Sequence, residues 1–241
     1  MMVLQMDTAL LVHGFAGTAG SWDRFSKHLD PQRYRPVAVD LRGHGQNAAL
    51  RPISFETCVD DLLGAAPARF TLVGYSLGGR LALQLALAAP QRVERLVLIS
   101  TSAGIVDDAA RAARLESDLE LADRLDRMSI AQFASEWLAG PLFVEDSEEA
   151  QDLARTEIEK NSPANLACAL RGLSVGQMEP LWERLGEISA PTMVVAGETD
   201  ETYVALAKRM SSAIAGSEIQ IIQGAGHALP RSASEALAGL L

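Results

Sequence analysis

The segment Thr71-Leu72-Val73-Gly74-Tyr75-Ser76-Leu77-Gly78-Gly79-Arg80 constrains this chain more than any other. A short apolar, β-branched run leads into Gly-x-Ser-x-Gly, and an Ala/Leu-rich helical pattern follows at once, from Leu77 to Ala89, stopping at Pro90. Between a strand and a helix this motif forms a turn too tight for side chains at Gly74 and Gly78, and the turn lifts the Ser76 hydroxyl above the sheet. A plain helix start with Ser76 as an early polar residue accounts for the helix but not for the pair of glycines. Ser76 is therefore the first candidate for a reacting group.

The rest of the chain supplies the sheet that such a turn needs. Short apolar runs read as buried strands at Ala9 to Val12, Pro36 to Asp40, Phe70 to Gly74, Leu96 to Ser100, Thr192 to Ala196 and Ile219 to Ile222. Helical patterns separate them, one carrying Trp22, Phe25 and Leu29, another carrying Phe55, Val59, Leu62 and Leu63 behind a capping Ser54. This alternation predicts an α/β fold with a mostly parallel, doubly wound sheet covered on both faces. The 241 residues suffice for one compact domain with a sizeable core, and no linker or repeat divides them.

One stretch breaks the rhythm. Residues 101–187 contain helical runs at Ala109 to Arg127, Ile130 to Ala139, Ser147 to Lys160 and Ala164 to Leu173, and almost nothing strand-like. Ser129 with Gln132 fits a capping box, and Ser162-Pro163 puts a cap before a proline at the first helical position. The stretch is far longer than one crossover requires, which predicts a helical lid inserted between strands. The expected organisation is core residues 1–100, lid 101–187 and core 188–241.

Composition narrows the partners. A net charge of −10 argues against nucleic acid, whose phosphates it would repel, but leaves room for a small anionic substrate governed by local charge. No apolar run reaches membrane-spanning length, and no secretory signal precedes the strand at Ala9. Cys58 and Cys168, the only two cysteines, have no metal-like spacing and read as buried small apolar residues. A reduced, cytoplasmic protein is the expectation, with no metal; the oligomeric state is left open.

A serine hydroxyl reacts poorly until a histidine takes its proton, and that histidine needs an acid to fix its tautomer. Of the four histidines, His227 in Gly224-Ala225-Gly226-His227 directly follows the last strand run. Asp200, in Ala196-Gly197-Glu198-Thr199-Asp200, also lies just past a strand, where it could equally cap the next helix. All three candidates fall at the carboxyl edge of the sheet. His13-Gly14-Phe15-Ala16-Gly17 follows the first strand, and the backbone N–H groups of Phe15 and Leu77 are placed to form an anion-stabilising hole. His13 and His44 read as structural hydrogen-bonding groups, and His28 has no evident role.

The order Ser76, Asp200, His227 resembles that of the α/β-hydrolase superfamily, and the resemblance covers essentially the whole chain. Within it the chain is similar to the SHCHC synthases (2-succinyl-6-hydroxy-2,4-cyclohexadiene-1-carboxylate synthases) of menaquinone biosynthesis. The likeness rests on Gly74 to Arg80, on Ala103-Gly104-Ile105 with Arg111, Arg114, Ser117 and Asp118, and on Phe133, Trp137 and Pro141-Leu142-Phe143. Leu170 to Gln177 and Leu181-Trp182 continue it. The resemblance implies a cofactor-free lyase in which the serine acts as a base, removing a proton from a cyclohexene dicarboxylate so that pyruvate is eliminated. It implies Tyr75, Arg80, Arg111, Arg114, Trp137 and Arg155 as substrate-binding residues, with Lys160 an alternative to Arg155. Guanidinium groups suit a substrate with several carboxylates. The chain departs from the family at Thr202, where a lysine is usual, and after His227, where Ala228-Leu229-Pro230 lacks the usual asparagine and second histidine.

The competing expectation is a carboxylesterase or carbon–carbon bond hydrolase working through an acyl-serine on the same triad. A non-catalytic protein holding a ligand under the lid is a third, which an intact triad disfavours.

Overall fold

The computed structural model describes residues 6–144 and 146–241. The chain runs β1 (Asp7–Val12), α1 (Asp23–His28), β2 (Tyr34–Val39), α2 (Phe55–Ala65), β3 (Phe70–Tyr75), α3 (Leu77–Ala88) and β4 (Val93–Ile99). Four helices follow, α4 (Asp108–Leu125), α5 (Ile130–Leu138), α6 (Glu148–Glu159) and α7 (Pro163–Leu173), before the chain returns as β5 (Thr192–Gly197). It ends with α8 (Glu201–Ala213), β6 (Glu218–Ile222), α9 (Leu229–Ser232) and α10 (Ser234–Ala238).

The strands form one six-stranded sheet in the order β2-β1-β3-β4-β5-β6, and every pair is parallel. Alternation along each central strand sends successive apolar side chains to opposite faces. Leu10, Val12, Leu72, Leu96, Leu98 and Val194 pack against residues of α2, α3 and α8. Ala9, Leu11, Val73, Val97, Ile99 and Val195 pack with Trp22, Phe25 and Leu237 on the other side. Both faces are apolar because both are covered, so the central strands read as unbroken hydrophobic runs.

The edges behave differently. The run Ile219 to Ile222 reads as buried, yet β6 ends the sheet and Ile219 is 40% exposed. Apolarity marks the strand but not its position in the sheet. The order in which strands are added reverses between β1 and β3, which are parallel neighbours, so the loops leaving their carboxyl ends run to opposite sides and open a crevice.

Side chains cap the inserted helices as their sequence demands: Asp107, Ser129, Ser147 and Ser162 each accept an amide hydrogen of the first turn. The capping box at Ser129 is incomplete. Ser129 accepts from the Gln132 amide, but the Gln132 side chain turns along the helix to Glu136. A separate apolar cluster joins these helices, with Phe133, Leu138, Phe143, Ile158 and Leu166 packed beside Ala16 and Ala228 of the two core loops. The insertion therefore sits on the carboxyl end of the sheet.

Candidate active site

The turn at Ser76 explains its glycines. Ser76 has φ 52°, a left-handed conformation that costs a side-chain-bearing residue about 1–3 kcal/mol unless its surroundings hold it. Here the Ser76 amide donates to the Ile99 carbonyl at 2.9 Å, and the Thr101 hydroxyl donates to the Ser76 carbonyl at 2.7 Å. A Cβ on Gly78 would run into the Val12 carbonyl, and one on Gly74 would meet Gly78 and Gly79. Helix α3 can leave the sheet this closely only without those side chains.

Two other loops meet Ser76. His227 Nε2 lies 3.3 Å from the Ser76 hydroxyl, and His227 Nδ1 lies 2.8 Å from Asp200 Oδ2. With Nδ1 donating to the carboxylate, Nε2 is left as the acceptor that can take the serine proton. Asp200 Oδ1 meanwhile accepts from the Tyr203 amide at the start of α8. One carboxylate thus caps α8 and faces the His227 ring, so the two expectations for Asp200 are geometrically compatible. The loops are locked together by Thr199, whose amide donates to the Ala225 carbonyl at 3.0 Å.

His227 is 2% exposed and lies among the rings of Tyr203, Tyr75 and Phe143, at centroid distances of 4.5, 5.4 and 5.7 Å. Burial pulls its pKa below the ordinary 6.5; Asp200 opposes the shift, while Arg231 and Arg80 add to it. The imidazole is thus held neutral, the form a base requires. The sign sets a pH profile. The acid limb of kcat/KM is expected below pH 6.5, with activity lost as pH falls through the lowered value, and Arg231→Ala should move that limb upward. Asp146, a carboxyl beside Gly226 that burial pushes up to about 6, titrates in the same window, so Asp146→Asn is measured in parallel. An acid limb above 6.5, or one unmoved by loss of the Arg231 charge, contradicts this assignment.

Phe15 and Leu77 both line the pocket over Ser76, and among the described residues neither backbone amide donates to a protein acceptor. They are available to an anion. His13 and His44 have different duties. His13 Nε2 accepts from the Leu41 amide at 3.0 Å and its Nδ1 faces the Gly14 carbonyl. His44 Nε2 accepts from the Ala16 amide at 3.2 Å, and burial pushes its pKa down to about 3, so it stays neutral. His28 is exposed on α1.

Of the residues expected to bind substrate, Tyr75, Arg80, Arg114 and Trp137 line the pocket. Arg111 and Arg155 do not. Arg111 is drawn to Asp108 at 2.6 Å, and Arg155 donates to Ser135 Oγ at 3.0 Å between α6 and α5. Lys160, the alternative to Arg155, pairs with Glu157 instead. Spacing puts an arginine on a helix but does not decide which face turns to the pocket. Arg114 is held by Asp118 at 2.9 Å, and Asp118 in turn accepts from Ser174 at 2.6 Å. Cys58 is buried, its thiol pushed up to about 11, whereas Cys168 is only half-buried.

Arg231 escaped the sequence reading. It lines the pocket from α9, and its Nε is buried without a hydrogen-bond partner among the described residues. The available signal was its place four residues after His227, the step that also separates Arg80 from Ser76. Among the described residues neither Arg80 nor Arg231 forms an ion pair with a carboxylate, although Arg80 is only 8% exposed. Among those residues no helix is long and apolar enough to cross a membrane.

Comparison with known proteins agrees with this architecture. The chain is 30% identical over 236 residues to the 2-succinyl-6-hydroxy-2,4-cyclohexadiene-1-carboxylate synthase of Enterobacter sp. (strain 638), covering 96% of this chain and 89% of that one. It is 28% identical over 225 residues to the pimeloyl-(acyl-carrier protein) methyl ester esterase of Nitrosomonas europaea, covering 91% of this chain and 88% of the relative. The solved structure of MenH from S. aureus matches with a TM-score of 0.91 at 31% identity, covering 98% of this chain and 92% of that chain. The model of the alpha/beta hydrolase family matches residues 9–240. With this sheet, and with family similarity over nearly its whole length, the protein is an enzyme belonging to the alpha/beta hydrolase family.

Proposed function

We propose that the protein is a cofactor-independent lyase of the SHCHC synthase type, eliminating pyruvate from a cyclohexene dicarboxylate. The observation that carries this reading is the pair of guanidinium groups, Arg80 and Arg231, bordering the Ser76 pocket without a carboxylate partner. Arg80 is buried and Arg231 half-buried. A buried, unpaired charge such as that of Arg80 costs on the order of several kcal/mol, a cost that a carboxylate-bearing substrate would offset on binding. The similarity to the Enterobacter synthase supports the same choice.

In this reading His227 withdraws the Ser76 proton and the serine oxygen removes a proton from a substrate carbon. Pyruvate is expelled as the ring electrons shift, and the proton stored on His227 is returned to the departing group. Phe15 and Leu77 donate to the oxygen that gains negative charge. Asp200 steadies the imidazolium while the proton is in transit. The four inserted helices act as a lid that keeps water out.

A second reading is favoured by one observation. Ser76, a neutral histidine and two unengaged amides also suit acyl transfer, the chemistry named for the esterase of Nitrosomonas europaea. Pyruvate release from the cyclohexene precursor, followed by a lactate dehydrogenase couple beside a panel of short-chain esters, separates the two. Rapid pyruvate release with weak ester cleavage is expected. Brisk ester cleavage without pyruvate overturns the lyase reading.

A further inference from the structure

We propose that Asn161, on the helical insertion, is a positioning residue for the anion hole of the core. It rests on the reading of Phe15 as a hole donor and is independent of which reaction the hole serves.

Phe15 and Ala16 are the central residues of a turn closed by the Gly17 amide, which donates to the Gly14 carbonyl at 3.1 Å. Ala16 has a φ of 61°, again left-handed, so the direction of the Phe15 amide depends on how firmly that turn is held. No strand or helix supplies that restraint. The Ala16 amide donates to His44 Nε2 at 3.2 Å, and the Ala16 carbonyl accepts from Asn161 Nδ2 at 3.1 Å. Both polar groups of the strained residue are thus satisfied by side chains, one from the core and one from the insertion.

Asn161 lies just beyond the end of α6 and is 7% exposed. Its Nδ2 also reaches the Glu157 and Ile158 carbonyls, at 3.1 and 3.3 Å, which fixes it to its own helix end. Its Oδ1 accepts from the Gly45 amide at 3.0 Å, in the loop that carries His44. The amide therefore has one workable orientation. Flipped, its oxygen would face three carbonyls and its NH2 would face an N–H. Three residues after Phe15, Thr18 donates its hydroxyl to the buried Glu157 carboxylate of α6. Among the described residues the insertion hydrogen-bonds this loop through Glu157 and Asn161, and of the two only Asn161 bonds the strained residue itself.

A helix-terminating asparagine would explain the contacts to Glu157 and Ile158 and nothing more. The contacts to Ala16 and Gly45 cross from the insertion to two separate core loops, and they bear on the geometry of catalysis. The hole is thus completed only while the end of α6 is docked. Any opening of the insertion that left the hole formed must hinge elsewhere.

The test is kinetic. Asn161→Ala and Asn161→Asp are compared with Ser129→Ala, which removes a helix cap elsewhere in the insertion. Steady-state constants are taken on whichever of the cyclohexene precursor and p-nitrophenyl acetate the wild type turns over faster. Phenylboronic acid, whose tetrahedral adduct on Ser76 would place an oxygen in the hole, reports the hole directly. Both Asn161 variants are expected to lose roughly 10- to 100-fold in kcat with KM within about threefold. That is less than the ~10²–10³-fold cost of deleting a donor outright, because the loop is loosened rather than removed. Boronate affinity should fall in step. Asn161→Asp keeps an acceptor for Gly45 but repels the Ala16, Glu157 and Ile158 carbonyls, so it separates the carbonyl-facing contacts from the Gly45 contact and serves if the alanine variant does not fold. Ser129→Ala should lose thermal stability without losing boronate affinity. If the Asn161 variants keep kcat and boronate affinity within twofold, or lose them only as far as Ser129→Ala does, the proposal fails. A wild type that does not bind the boronate overturns the hole itself and this inference with it, whatever the outcome for pyruvate.

Discussion

Replacing Ser76 by alanine is expected to lower turnover at least ~10³-fold on any substrate, with the melting temperature changed by no more than a few degrees. The turn at Ser76 is held by its backbone, through Ile99 and Thr101, and by the absence of side chains at Gly74 and Gly78, none of which the substitution touches. Alanine occupies the same left-handed backbone position as serine at similar cost, so the fold should register little. His227→Ala should show a similar loss, and the double variant should lose little more than either single one, because hydroxyl and imidazole act as a unit. The check is a set of single-turnover rates alongside thermal melts. Independent, multiplying losses would mean that Ser76 and His227 do not share a proton, despite the 3.3 Å between them.

The second large effect is expected at Arg80. Arg80→Met keeps most of the packing volume and removes the charge. It should cost roughly 10²-fold in kcat/KM on a substrate bearing carboxylates, while a neutral short-chain ester changes by no more than about threefold. Stability should hold or rise, because a guanidinium that is 8% exposed and lacks a carboxylate partner is a burden in the empty enzyme. Equal losses on charged and neutral substrates would remove the carboxylate-clamp role. A large fall in melting temperature would instead make Arg80 a structural group. Arg114 offers a weaker contrast, since Asp118 already pairs with it.

Much of this was legible in the chain, for identifiable reasons. Each of the six strand runs became a strand, the four central ones because they are buried on both faces and their apolarity is continuous, whereas the edge strands β2 and β6 carry the same apolar signal with far less burial. Ser76 could be placed because the glycines around it have a single steric explanation, and Asp200 and His227 because strand ends of a parallel sheet share one edge. What failed to show in sequence is orientation. Arg111 and Arg114 lie three residues apart on α4, and only Arg114 borders the pocket, because Asp108 engages the other. Arg155 met Ser135 rather than the pocket for the same kind of reason. Arg231 stayed hidden because a one-turn helix such as α9 has no periodicity to reveal. Asn161 was invisible too, since its partners Ala16 and Gly45 lie more than a hundred residues away and are backbone groups, which leave no trace in side-chain patterns.

The proposed function requires that this pocket select a multiply charged substrate for elimination rather than an ester for acyl transfer. The most direct measurement is the ratio of kcat/KM for pyruvate release from the cyclohexene dicarboxylate precursor to that for p-nitrophenyl acetate, in wild type and Arg80→Met. The wild-type ratio is expected to lie far above one and to collapse by roughly 10²-fold in the variant. A ratio below one, unchanged by loss of the Arg80 charge, would contradict it.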